Sequence, residues 1–457
     1  MKRLLIVNRG EIALRILRAA RELGMTGVVA HSEADSDSLA VQRADEAICI
    51  GPARAAQSYL NIDAIMNAAR EANIDAVHPG YGFLSESAAF ARAVAQAGMV
   101  FIGPCADIIE RMGDKASARR TASEAGVPVV PGSAALDDPD QARRAADEIG
   151  YPLLIKAAAG GGGRGIRVVE RADELADQLV MAQQEARSAF GDDRVYLERF
   201  IPRARHIEVQ ILGDGERAIH LFERECSLQR RRQKILEECP SPALNEAVRE
   251  RLCRSAVALA EHVGYFGAGT LEYLFDERDE AFYFIEMNTR IQVEHPVTEE
   301  VTGVDLVREM LRLGRGEALR YRQSDIRRRG WAVEMRLNAE DPARDFFPSP
   351  GQITHLVWPT GPGVRIDSAL YEGYRMPPFY DSLVAKLIVH DEDRASALVR
   401  AARALDELVI EGLTTTASLH RQLVADAAVR RGDVDIGFLE SWLKRRDTPD
   451  AQPEEAP

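Results

Sequence analysis

The sequence is poor in cysteine, and none of it is spaced for pairing. Cys49, Cys105, Cys226, Cys239 and Cys253 make five, an odd number with no C-x-x-C pair. A disulfide framework and a thiolate zinc site are therefore not expected, and a reducing compartment fits. No run of eighteen apolar residues occurs, so no transmembrane helix is expected. The opening MKRLLIVNRGE is apolar only over residues 4–7 before charge returns at Arg9 and Glu11, which is too short for a signal peptide. A cytoplasmic location follows as an expectation. Net positive charge is also missing: 58 Lys and Arg against 72 Asp and Glu leave −14. That speaks against broad binding of nucleic acid or of an anionic membrane, while leaving room for a local basic pocket. No Gly-Lys pair exists, so a Walker A loop is excluded. No G-x-G-x-x-G follows the first apolar stretch, which removes a Rossmann-type NAD-dependent oxidoreductase.

What is present is an ordinary globular balance, 46% apolar and 28% charged over 457 residues. At roughly 150 residues per domain, such a chain forms about three domains. Residues 4–7 (LLIV) read as a buried strand, Asn8-Arg9-Gly10 as a turn, and residues 11–23 as a helix with Ile12, Ile16 and Leu17 on one face and Gly24 at its end. Strands follow at 27–31, 47–50, 76–78 and 99–102. This alternation predicts a doubly wound parallel sheet, whose ligands bind beyond the carboxyl ends of its strands. HPGYGF (78–83) is one such end. Residues 104–126 read as helical, and the proline-rich 127–133 as a hinge. Beyond it come a helix at 137–149, strands at 153–159 and 166–170, a helix at 172–188 and a strand at 195–200. Antiparallel strands are expected at 206–212, 218–225, 270–275 and 281–288, with further strands after Gly330.

Three stretches carry chemistry. Residues 160–165, GGGGRG, follow Lys156 and precede the β-branched IRVVE. Glycines between two strands make a hairpin, not the helix start that a dinucleotide fingerprint requires. Such a hairpin is either a flexible surface loop or a lid whose bare N–H groups cover phosphates, with Lys156 as a point charge. Glu272 and Glu286 lie inside apolar strands, and Asn288 shares a face with Glu286. They sit either on a solvent face or around a hard cation such as Mg²⁺. EMNTRIQVEHP (286–296) adds Arg290, suited to an anion, and Glu294, suited to act as a base beside it. Residues 226–238 gather Arg230, Arg231, Arg232 and Lys234, as a solvated face or an anion site. His295, before Pro296, reads as a structural histidine.

NRGEIA (8–13), HPGYGFLSE (78–86), GDK (113–115), IKAAAGGGGRG (155–165), RHIEVQ (205–210), QRRRQK (229–234), FIEMNTRIQVEHPVTE (284–299), RLNAEDP (336–342) and PPFYDSL (377–383) occur in order. On these motifs the chain resembles the biotin carboxylases, which are ATP-grasp ligases, over nearly all of residues 1–445. The resemblance implies an α/β and α+β ATP-grasp fold. Residues 1–130 would form the Rossmann-like N-terminal domain, 131–200 a mobile glycine-rich lid, 201–330 the catalytic domain and 331–446 a mixed or antiparallel β domain, with 447–457 a disordered tail.

It further implies ATP binding by Lys115, Lys156, Gly160, Gly161, Gly162, Gly163, Arg164, Gly165, Glu198, His206, Gln229 and Glu272, with Ile201, Leu274 and Ile436 against the adenine. Glu272, Glu286 and Asn288 would hold two Mg²⁺ or Mn²⁺ ions. Lys234, Arg290, Gln292, Val293 (by its backbone) and Glu294 would bind bicarbonate. Glu294 would be the base, and Arg336 would steady the biotin enolate beside Tyr81 and Gly82. Arg232 departs from the pattern, since many members carry histidine there.

The implied activity is carboxylation of biotin through carboxyphosphate, the first half-reaction of acetyl-CoA carboxylase in fatty acid biosynthesis, or of a propionyl-CoA, methylcrotonyl-CoA or other acyl-CoA carboxylase. The only Met-Lys pair is Met1-Lys2, so biotin is expected on a separate carrier protein and transfer on a separate carboxyltransferase. A homodimer is implied as well. The competing reading is a non-catalytic nucleotide-binding subunit, in which Glu294 and Arg290 would be dispensable.

Overall fold

The computed structural model describes residues 1–134, 136, 138–157, 166–190 and 192–447. The glycine loop at 160–165 and the acidic tail from 448 onward lie outside the described residues. The chain divides into two compact units: Met1–Val127, Arg205–Leu274 and the chain from Glu286 form one, Pro128–Ala204 and Phe275–Ile285 the other. Among the described residues, no helix is long and apolar enough to cross a membrane.

The first unit opens with the expected parallel sheet. Its order is Glu46–Gly51, Thr26–Ser32, Arg3–Ile6, Ala76–His78, Val100–Phe101, and every pairing is parallel. The first strand thus has the second on one side and the fourth on the other. The order reverses there, and a crevice opens beyond its carboxyl end. Asn8–Gly10 and Pro79–Gly82 fill that position. The Gly10–Glu22 helix buries Ile12, Ile16 and Leu17 as the spacing predicts. Gly24, at φ +68°, closes its end. The helix expected across 104–126 is two, Ala106–Gly113 and Lys115–Glu124. Asp114 separates them because its carboxylate accepts from the Ser117 N–H at 2.7 Å, capping the second helix instead of continuing the first.

An eight-stranded sheet dominates the rest. Its order is Ala281–Asn288, Phe266–Asp276, Ala204–Asp214, Ala218–Arg230, Gln233–Cys239, Trp331–Asn338, Leu383–Asp391, Val364–Ser368. The sheet runs on past Gly330, because Gln233–Cys239 pairs with Trp331–Asn338 through Leu236↔Met335 and Cys239↔Ala332. An apolar layer of Val333, Met335, Leu337, Leu387 and Val389 packs under the Arg394–Glu407 helix with Ala397, Ala401 and Leu405. The other face of these strands carries the charged residues.

The second unit is a three-stranded antiparallel sheet ordered Ile166–Val169, Leu153–Ala157, Val195–Arg199. The register Leu153↔Val169 to Lys156↔Ile166 is that of a hairpin, as expected around the glycine loop. Helices Pro139–Ile149 and Leu175–Phe190 cover a core of Leu153, Ile155, Val195 and Leu197. The helix expected from 172 begins with a 3₁₀ turn, Ala172–Glu174.

Candidate active site

A cavity of about 590 Å³ opens in the first unit where the parallel-sheet crevice meets the charged face of the large sheet. Asn8–Glu11 and Tyr81–Phe83 come from the crevice. His206, Lys234, Glu272, Glu286, Asn288 and Arg336 come from the strands, Arg290 and Gln292–Glu294 from the turn after the last residue of Ala281–Asn288. Strand alternation explains why these side chains meet. Glu286 and Asn288 project to one face, as do Glu334 and Arg336. Register places Glu237 opposite Glu334 and Arg336 opposite Lys386.

At the centre lies a buried ion cluster. Lys234 Nζ donates to Glu208 at 2.5 Å, Glu294 at 2.6 Å and Glu272 at 3.0 Å. Arg336 donates to the other Glu294 oxygen at 2.9 Å and to Glu237 at 2.5 Å. Burial alone pushes the Glu294 carboxyl up. Lys234, Arg336 and Arg224 outweigh it and hold that carboxyl well below the usual carboxylate range. Glu294 is therefore ionised at neutral pH. Glu237 keeps the burial effect and is pushed up to about 7, since one arginine offsets it only in part. Lys234 would be lowered by burial, but three carboxylates drive it well above its ordinary value.

Glu272 is the hub next to this cluster. Its Oε1 accepts from Lys234, from Asn288 Nδ2 at 2.9 Å and from Gln292 Nε2 at 2.8 Å, and its Oε2 lies 3.0 Å from His206 Nε2. His206 is oriented by Gln229 at 2.7 Å. Arg290 donates to Asn288 Oδ1 at 2.8 Å and to Glu86 at 2.9 Å. Glu286 is raised by burial and by the charge of Glu272. Among the described residues, the sets of acids, His and Cys close enough to share one ion are His206, Glu208 and Glu272, and Glu208, Cys226 and Glu294.

The other expected nucleotide residues divide between the two units. Lys115 is exposed at the head of its helix, Leu274 is half-buried, and Ile436 is exposed and does not line the cavity. In the second unit Lys156 pairs with the buried Glu198, and Ile201 is buried. Gly160, Gly161, Gly162, Gly163, Arg164 and Gly165 lie outside the described residues. Arg232, at φ +66°, is exposed on the cavity rim.

Three family models tile the chain: the biotin carboxylase N-terminal domain over residues 1–109, the ATP-binding domain of the carbamoyl-phosphate synthase L chain over 114–322, and the biotin carboxylase C-terminal domain over 334–441. Biotin carboxylase 1 of Bacillus subtilis is 51% identical over 97% of this chain and 99% of its own length. This chain belongs to the biotin carboxylase family. Its activity is the ATP-dependent carboxylation of biotin. The Campylobacter jejuni biotin carboxylase structure is 47% identical, with a TM-score of 0.89 over 96% of this chain and 98% of that one. The biotin carboxylase domain of Hydrogenobacter thermophilus 2-oxoglutarate carboxylase is 46% identical with a TM-score of 0.87, covering 96% of this chain and 97% of that one. That structure is a dimer in complex with MgADP, ADP and bicarbonate.

Several residues of this biotin carboxylase cavity escaped the sequence reading. Glu208 and Arg224 are wholly buried and pair at 2.5 Å. Arg224 also reaches Gln210 at 2.8 Å, Gln292 at 2.9 Å, Thr298 at 3.0 Å and Thr270 at 3.2 Å. Glu237 holds Arg336, and Glu86 holds Arg290. The signal available for Glu208 and Arg224 was a charge inside an apolar strand, the pattern that singled out Glu272. His295 is buried, its Nδ1 2.7 Å from the Gln292 carbonyl, in the structural role expected of it.

The crevice wall depends on a backbone that only glycine adopts easily. Gly80 has φ +65°, and a Cβ there would stand 2.8 Å from Asn8 Nδ2. That amide donates at 2.7 Å to the carbonyls of both Pro79 and Tyr81. Gly80→Ala is expected to cost about 1–2 kcal/mol from the left-handed conformation alone, read as a lower urea midpoint.

Proposed function

We propose that this chain carboxylates the biotin of a separate carrier protein in the cavity described, with Glu294 as base. The observation that carries this reading is an ionised, buried carboxylate clamped between an ammonium and a guanidinium beside Arg290 and Gln292. While Lys234 and Arg336 bond it, Glu294 is a weak base. A bicarbonate anion entering beside it shares those cations, weakens their hold on the carboxylate and so raises its basicity.

Bicarbonate is then held by Lys234, Arg290, Gln292 and the Val293 backbone, and gives its proton to Glu294. The oxygen so freed attacks the γ-phosphate of ATP, giving carboxyphosphate and ADP. Carboxyphosphate breaks down to CO₂ and phosphate, phosphate takes the N1′ proton of biotin, and the N1′ of the enolate so formed bonds to the CO₂ carbon to give carboxybiotin. Arg336 stabilises the resulting enolate as a preorganised cation, with Tyr81 and Gly82 against the ring. Lys115, Lys156, the 160–165 loop, Glu198, His206 and Gln229 bind the nucleotide, with Ile201, Leu274 and Ile436 at the adenine.

Glu272, Glu286 and Asn288 suit Mg²⁺ or Mn²⁺. They are hard oxygen donors, and burial, with the neighbouring charge of Glu272 adding to it, raises Glu286. When bound there, such ions offset the charge of the ATP phosphates. The likeness to a dimeric domain supports a homodimer, and the family supports a carboxyltransferase as the next partner.

With Mg²⁺, ATP, bicarbonate and free biotin, the purified chain is expected to release phosphate, and to fall to background without bicarbonate. No release above a biotin-free control overturns the reading. Streptavidin blotting of proteins that co-purify from native lysate identifies the carrier, and with it the acyl acceptor served.

A further inference from the structure

The turn that carries Gln292, Val293 and Glu294 is tied from behind at two successive carbonyls. His295 Nδ1 sits 2.7 Å from the Gln292 oxygen, and Lys386 Nζ donates to the Val293 oxygen at 2.9 Å. Both side chains are fully buried. In a trans peptide the N–H points to the side opposite its carbonyl. The two anchors therefore fix the directions of the Val293 and Glu294 N–H groups, on residues that line the cavity.

Lys386 lies in the Leu383–Asp391 strand, with Ala385, Leu387 and Ile388 buried around it. An ammonium persists in such a place only with partners. Its partners are Glu11 at 3.0 Å and Asp367 at 3.8 Å, with Glu334 adding to the surrounding negative field. Asp367 is itself shared with Arg365 at 2.8 Å. Glu11, from the first helix, accepts the Tyr81 hydroxyl hydrogen bond. One buried ammonium thus joins the wall at Tyr81 to the turn at Val293, with Glu11 as the shared anion.

We propose that Lys386 is a positioning residue for bicarbonate: anchored by Glu11, its ammonium holds the Val293 carbonyl and so aims the backbone donors of the 292–294 turn. This rests on the biotin carboxylase reading above. Lys386 touches no substrate. Its loss lets the Val293–Glu294 peptide rotate and so weakens capture of the anion. ATP, bound by other residues, keeps its affinity.

The test measures KM for bicarbonate and for ATP in the free-biotin assay, using the full chain and its Lys386→Met and Lys386→Arg variants. Lys386→Met is expected to raise the bicarbonate KM by between about tenfold and about a hundredfold, the scale of a small misplacement in a positioned site, with the ATP KM within about twofold. Lys386→Arg, which keeps a cationic donor, is expected to regain most of that loss. If the first variant does not fold, Glu11→Gln with Lys386→Met removes both buried charges together and carries the same measurement. An unchanged bicarbonate KM, or equal rises in both constants without recovery in Lys386→Arg, overturns the positioning role. A wild-type chain without bicarbonate-dependent ATP hydrolysis overturns instead the function on which it rests.

Discussion

Glu294→Gln is expected to bind ATP as the parent does and to lose about 10²- to 10⁴-fold in turnover, the range that a positioned general base contributes. The carboxamide keeps the shape of the carboxylate and still accepts a hydrogen bond, but it does not take a proton at neutral pH. The fold tolerates the change because each cation retains an anion: Lys234 keeps Glu208 and Glu272, and Arg336 keeps Glu237. Steady-state phosphate release against a nucleotide-binding titration separates the two quantities. A variant that keeps full rate moves the base to another residue. A variant that loses ATP affinity in proportion makes Glu294 a binding group only.

Arg224→Met is expected to cost about 3–5 kcal/mol of folding stability, the scale seen when one member of a buried ion pair is removed. Arg224 is fully buried and serves Glu208, Gln210, Thr270, Gln292 and Thr298 through its guanidinium. Methionine fills much of the volume but leaves those acceptors without their donor. Among the described residues, Glu208 would retain Lys234 as its remaining cationic contact. Urea unfolding gives the loss directly, and Glu208→Gln in the same chain is expected to recover part of it, because the stranded charge is then gone. Strict additivity of the two changes would mean that the pair is not coupled. Because Gln292 shares the guanidinium, weaker bicarbonate capture is expected to accompany the stability loss.

The N-terminal sheet was legible because strand, turn and helix alternate there at regular intervals, and the last three strands run into Gly51-Pro52, Pro79-Gly80 and Gly103-Pro104. The candidate-site residues were legible for a different reason: Glu286 and Asn288 share one face of a strand, and Arg290, Gln292 and Glu294 follow directly in the turn after it. Glu208, Arg224, Glu237 and Lys386 were harder to read because their partners lie outside their own strands, 16 residues away for Glu208 with Arg224, 99 for Glu237 with Arg336 and 93 for Lys386 with Val293. From its own strand, a buried charge looks the same as a charge on a solvent face. The pairing of Ala204–Asp214 with Ala218–Arg230 sets Arg224 opposite Glu208, and those of Gln233–Cys239 with Trp331–Asn338 and of that strand with Leu383–Asp391 place Glu237, Arg336 and Lys386 side by side. Ile436 shows the limit from the other side, since an isolated apolar residue in a loop carries no periodicity to place it. The break at Asp114 was legible in principle, as an aspartate immediately before a helical turn is a capping signal.

The eight-stranded sheet also sets an order of events in time. Lys234 and Arg336 lie on neighbouring strands but about a hundred residues apart along the chain. Pairings of that span close late, because the loop entropy must be lost before the contacts reward it. During synthesis the strands Ala204–Asp214, Ala218–Arg230 and Gln233–Cys239 emerge with both outer edges unpaired, and the edge strand bearing Lys234 and Glu237 waits the longer of the two for its neighbour. The nascent chain therefore exposes a strand edge bearing Lys234, Glu237 and Glu238 until residues 331–338 arrive. Charge along an open edge disfavours pairing with another copy. The charges that later close the buried ion cluster thus first serve to disfavour edge-to-edge pairing of the half-made sheet.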